Sequence, residues 1–131
     1  MESVSFEPIG FIETDFKEKF GIPRQANLVP SARGCIKIER DARLVRALQG
    51  LEGFSHLWLI WVFHETGAKN WRPSVRPPRL GGAKKIGVLA TRSPHRPNPI
   101  GISVVKLEAV KRISATEAEI FVSGVDLLSG T

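Results

Sequence analysis

The sequence predicts a mainly β fold: a small antiparallel β-barrel with one short helix and long ordered loops. Three observations carry that expectation. Short apolar or alternating runs recur along the chain, separated by Gly- and Pro-rich turns. One segment alone, from Asp41 to about Gln49, has helical spacing. No Gly-x-Gly-x-x-Gly fingerprint and no P-loop follows any run, which excludes a Rossmann or Walker phosphate cradle. A chain of 131 residues with no repeat or linker reads as a single domain, 1–131.

The elements follow in order. Phe6–Thr14 and Cys35–Glu39 are short apolar or alternating runs and read as strands. The helix carries Leu44, Leu48 and Leu51 as its apolar stripe, with Asp41 at its start and Gly50 as its stop. His56–His64 is apolar on both faces, the pattern of a strand covered on both sides or lining a closed barrel. Ala68–Ala83 contains three prolines and two glycines and reads as a long ordered loop. Ile86–Ala90 and Ile102–Val110 are apolar runs; within the second, Ser103–Ala109 turns Val105, Leu107 and Ala109 inward. Glu117–Val122 alternates, with Ala118, Ile120 and Val122 on the core side.

Composition narrows the function classes. No apolar run approaches the roughly 20 residues of a membrane helix, and Met1–Ser5 has neither the basic start nor the apolar block of a signal peptide. Cys35 is the single cysteine, which fits a reducing, cytoplasmic setting and rules out a multi-thiolate metal site. The net charge of +6 is uneven: residues 69–112 hold eleven Lys/Arg against Glu108 alone, whereas 1–68 hold eight against nine acids. Such a block, interleaved with Trp71, is the electrostatic footprint of a nucleic-acid partner; its alternative is a solvated basic face.

Ala90–Ser103 (ATRSPHRPNPIGIS) packs two arginines, a histidine, an asparagine and three hydroxyl groups around Pro94, Pro97 and Pro99. Prolines fix their own φ and extend the residue before them, so this is a stiff, donor-rich loop suited to an anionic ligand. Gly21–Gln25 (GIPRQ) presents a guanidinium fork beside an amide after Pro23. His64-Glu65 ends the most apolar strand, and Asp126 follows the turn at Gly124. The spacing of His64, Glu65, His95 and Asp126 matches no zinc signature, so no metal is expected.

GIPRQ (21–25), FSHLW (54–58), RPPRLGG (76–82), TRSPHRPNPIG (91–101) and DLLSGT (126–131) occur in that order. In these blocks the chain resembles the TrmO-type tRNA methyltransferases, also called TsaA- or YaeB-like proteins. The resemblance implies a single-sheeted β-barrel rather than a Rossmann methyltransferase, and a homodimer binding S-adenosylmethionine at or near the subunit contact. The implied reaction is methylation of N6 in threonylcarbamoyladenosine at tRNA position 37, beside the anticodon. Carried over by position, cofactor contacts fall on Pro23, Arg24, Gln25, His64, Glu65, Arg92, Ile102, Asp126, Leu127, Leu128 and Ser129. His95 or Asp126 would take the N6 proton. Arg96 would clamp the threonyl carboxylate, and Arg72, Arg76, Arg79, Lys84 and Lys85 would meet anticodon-loop phosphates. Two departures are visible: Ser129 stands where the family usually has aspartate, and the chain is expected to lack the C-terminal extension usual in the family. Two other readings stay open: a non-catalytic RNA-binding barrel, and a methyltransferase acting on another RNA or a small molecule.

Overall fold

The structure, a computed structural model, describes residues 1–16, 31–63, 71–77, 81–82, 84–127 and 129–131. Five strands form one sheet in the order β1-β2-β7-β6-β3: β1 (Phe11–Thr14), β2 (Arg33–Ile38), β3 (His56–Val62), β6 (Ile100–Arg112) and β7 (Ala118–Ser123). A second, two-stranded ribbon pairs β4 (Ser74–Val75) with β5 (Ile86–Gly87). The pairings β1–β2, β2–β7 and β6–β7 are antiparallel. One helix, α1 (Ala42–Ala47), starts where the Asp41 carboxylate accepts the Arg43 amide at 2.8 Å and turns Val45 inward. The mainly β, non-Rossmann class read from the sequence is the class observed.

The chain divides into two compact units, Met1–Leu57 with Val104–Gly130, and Trp58–Ser103. In the first, the core is the inward side of the sheet. Ile12, Ile38, Val105, Ala118, Ile120 and Val122 are buried there, as the alternation of β7 requires. The chain then leaves β7 through Gly124 and buries Val125 and Leu127. Backbone bonds Gly130 N to Ile12 O and Ser129 N to Phe16 O, both 2.7 Å, tie this closing segment to β1.

Four expectations shift. The strand foreseen from Phe6 begins at Phe11, and the residues before it are exposed. In β6 a bulge between Leu107 and Ala109 resets the alternation, so Ala109 is exposed and Val110 turns inward. The segment Ala68–Ala83 contains β4, which is too short to register as an alternating run. Finally, β3 is half-buried on one face only: Trp58, Ile60 and Val62 are 71%, 77% and 53% exposed.

Candidate functional site

In the Trp58–Ser103 unit the Phe63 amide donates to the Pro99 carbonyl at 2.8 Å, a bond that sets Trp61 opposite Gly101. The pairing requires a glycine. A Cβ at Gly101 would lie 2.8 Å from Cη2 of the Trp61 ring and nearer still to its fused edge. The indole is fixed twice more: Nε1 donates to Ser103 Oγ at 3.0 Å, and the ring meets Phe63 edge-on, with centroids 4.4 Å apart. The start of β6 is therefore clamped under an aromatic ring. Between the two clamped residues lies Ile102, whose carbonyl accepts a hydrogen bond from Arg92 Nη2 at 3.1 Å. Arg92 and Ile102, both expected at the cofactor, are thus brought together, and a backbone carbonyl helps to orient the guanidinium.

The loop carrying Arg92 is held by its own side chains. The Thr91 hydroxyl donates to Val88 O at 2.7 Å and accepts the Ser93 amide at 3.1 Å; Ser93 Oγ in turn accepts the His95 amide at 3.2 Å. Arg96 Nη1 donates to Thr91 O at 3.0 Å, so this arginine closes the loop. The Arg72 amide donates to His95 O at 2.7 Å, docking the approach to β4 onto the same loop. His95 Nδ1 is buried with no hydrogen-bond partner, a polar atom left open inside the loop. The side chains of Arg72, Arg76, Lys84 and Lys85 are exposed on or beside the β4–β5 ribbon. From residue 66 to 103 the sequence has eight Lys/Arg and no Asp or Glu.

In the other unit, Asp126, Leu127 and Ser129 lie on the closing segment. The Thr14 hydroxyl donates to Leu127 O at 2.8 Å, and the Thr14 amide donates to Ser129 Oγ at 3.1 Å. Ser129 is thus hydrogen-bonded to β1, and Asp126 is 6% exposed. Pro23, Arg24, Gln25, His64, Glu65, Arg79 and Leu128 lie outside the described residues. Sequence reasoning missed Thr14, Trp61 and Ser103 as supports of the site; each acts on a residue at least 40 positions away or carries no local motif.

S-adenosylmethionine carries a carboxylate, and the residues present fit such a group. An exposed guanidinium is anchored at Ile102 O in a stretch of chain without an acid, beside a loop that holds an open buried nitrogen. Among the described residues, no group of three or more His, Cys, Asp or Glu could hold a metal ion. None of the described helices is long and apolar enough to cross a membrane.

The chain is thus a small, mainly β domain with an arginine-bearing, proline-stiffened loop. The comparisons make that specific: residues 11–131 match the family described as the tRNA-methyltransferase O N-terminal domain, and the chain belongs to that family. It is 49% identical to the tRNA (adenine(37)-N6)-methyltransferase of Escherichia coli over 100% of this chain and 55% of the relative. It is 36% identical to a probable S-adenosyl-L-methionine-binding protein of Pyrococcus abyssi, over 98% of this chain and 64% of that one. A crystal structure of TrmO from Pseudomonas aeruginosa superposes with a TM-score of 0.72 at 41% identity, covering 99% of this chain and 51% of that chain. The chain spans about half the length of the bacterial tRNA methyltransferases it matches.

Proposed function

We propose that the chain is the S-adenosylmethionine-binding domain of a tRNA methyltransferase that methylates N6 of adenosine 37, in its threonylcarbamoyl form. The observation that carries this reading is the Arg92 guanidinium held by the Ile102 carbonyl within an acid-free, basic stretch. The names of the relatives support the cofactor and the nucleoside. When bound, the cofactor supplies an electrophilic methyl group on a sulfonium. Arg92 and Ile102 would hold it in this unit, with Pro23, Arg24, Gln25, His64 and Glu65 as further contacts and Asp126–Ser129 contributing from the closing segment. Arg96, already fixed at Thr91 O, would face the threonyl carboxylate. Arg72, Arg76, Arg79, Lys84 and Lys85 would take phosphates of the anticodon loop. As N6 gains the methyl it loses its proton, to His95 or Asp126. Holding N6 in line with the methyl supplies most of the barrier lowering, because positioning alone is worth up to about 7–11 kcal/mol.

The reading includes a homodimer. The exposed β3 face continues into Ile100 and Ile102 of β6, 41% and 48% exposed. Together these five side chains present roughly 500 Å² of apolar surface, more than half of the about 800 Å² that one partner buries in a standard interface. A tRNA-modifying dimer of this kind would work in the cytoplasm.

The test is calorimetric titration with S-adenosylmethionine, paired with nucleoside mass spectrometry of tRNA carrying threonylcarbamoyladenosine. Saturable binding that Arg92→Ala weakens, together with methyl gain at that nucleoside, supports the reading. A folded chain with no detectable cofactor binding refutes it.

A further inference from the structure

Trp71 takes no part in the reading above, yet the fold treats it unusually. It is 48% exposed, and the backbone on its C-terminal side is held at successive residues. The Arg72 amide donates to His95 O at 2.7 Å, the Pro73 carbonyl accepts the Val88 amide at 3.0 Å, and Ser74 pairs with Gly87. Pro73 fixes its own φ and keeps Arg72 extended. A large apolar side chain is therefore presented to solvent from a stiff backbone.

Its surroundings identify the ligand. Trp58 and Ile60 share their exposed face with aliphatic neighbours, which suits a protein surface. Trp71 is instead flanked in sequence by Lys69 and Arg72 and stands three residues before the β4–β5 ribbon, which Arg76 and Lys85 flank at the end where Val75 pairs with Ile86. Arg76 is five positions on from Trp71, so no more than about 18 Å of backbone lies between these two residues. An aromatic face among cations, with no acid between residues 66 and 103, is unsuited to an apolar protein segment and suited to a base beside its phosphates.

We propose that Trp71 is a nucleobase-stacking platform, on which a base of the anticodon loop lies while Lys84 and Lys85 take neighbouring phosphates. This rests on the reading of the chain as a tRNA-acting protein and adds the element that grips an unpaired base. The bond from Arg72 to His95 O joins the platform to the loop that carries Arg92 and Arg96. A base stacked on Trp71 is thereby registered against the candidate reaction loop.

The experiment measures binding of a labelled synthetic anticodon stem-loop RNA by anisotropy at several salt concentrations, for the parent chain and variants of it. Trp71→Ala, and Trp71→Leu (which keeps the bulk without a π face), should weaken binding about 5- to 150-fold at an unchanged salt slope. Trp71→Phe should retain most of the affinity. Lys84→Gln with Lys85→Gln should flatten the log–log salt dependence by about 0.7 for each phosphate no longer neutralised. Affinity within twofold of the parent for both Trp71→Ala and Trp71→Leu overturns the proposal. So does a loss shared equally by Trp71→Phe, or a parent chain that leaves the stem-loop unbound. Cofactor calorimetry on the parent chain separates these failures from failure of the methyltransferase reading.

Discussion

Gly101→Ala is the sharpest perturbation of the candidate site, because the added methyl has nowhere to go. Its carbon would sit 2.5 Å from Cε2 and 2.8 Å from Cη2 of Trp61, inside the closest approach of real side chains. The ring cannot yield freely. Moving it breaks the 3.0 Å bond to Ser103 Oγ, worth about 1 kcal/mol, and the edge contact with Phe63, worth about 0.5–1.5 kcal/mol. Overpacking strain adds about 1 kcal/mol or more, so the total cost is about 3 kcal/mol. For a chain of this size that lowers Tm by roughly 10 °C, read by thermal denaturation followed by tryptophan fluorescence. The same displacement shifts Ile102 O away from Arg92, so S-adenosylmethionine affinity should fall with stability. Trp61→Val opens the space, and the double variant Trp61→Val with Gly101→Ala should be no less stable than Trp61→Val alone. A Gly101→Ala chain melting within about 2 °C of the parent would refute the clamp.

Other outcomes follow from the same geometry. Thr14→Val removes the hydroxyl that donates to Leu127 O at 2.8 Å and leaves that carbonyl unpaired, so chemical denaturation should register a loss of about 1–2 kcal/mol. Burial pushes the Cys35 thiol up to about 11, and the Glu119 carboxylate that accepts its proton adds to the rise. Alkylation by iodoacetamide should accordingly be slow near neutral pH, climb steeply above about pH 9, and quicken in Glu119→Gln. The Ser123 hydroxyl holds Glu108 below the usual glutamate value of 4.5, and Cys35 followed by Lys37 does the same for Glu119. Their stabilisation is present above that value and is lost as pH falls through the lowered ones, so Tm should drop in acid, less so in Glu108→Gln. On the proposed dimer, the parent chain should sediment as a dimer and Trp58→Arg, which places a charge in the exposed β3 face, as a monomer.

Much of the sheet was legible because its pattern is local. The alternation of Ala118, Ile120 and Val122 is one inward face of β7, and Val105 and Leu107 lie on the matching face of β6. Legibility ended where geometry leaves no mark on residue type. The bulge between Leu107 and Ala109 is a backbone event, and no side chain there announces it. In β3 the apolar residues on both faces suggested double cover, yet Trp58, Ile60 and Val62 face outward; sequence records what a face is made of, not what meets it. The arginine-rich loop was legible as stiff because its prolines are. That Arg96 would be spent on Thr91 O, or that a ring 40 residues earlier would dictate Gly101, depends on pairings no short window contains.

The division of labour between the two units follows from where the apolar residues go. Among the described residues, Ile12, Ile38, Val45, Val105, Ala118, Ile120, Val122, Val125 and Leu127 are buried in the first unit, and Val88 is the sole buried aliphatic side chain in the second. The second unit buries little aliphatic surface among its described residues. It draws order from Pro94, Pro97 and Pro99, from short bonds such as Arg72 N to His95 O, and from the Trp61 clamp. Regions with few buried apolar contacts are, in general, those that open locally at low free energy and from which binding elements are drawn. Eight cations lie between residues 66 and 103 with no acid in that span of sequence, and repulsion among them is a cost that a polyanionic or carboxylate-bearing ligand would reduce. On the proposed function, occupancy of this unit by its ligand should raise its local stability in proportion to the logarithm of ligand concentration.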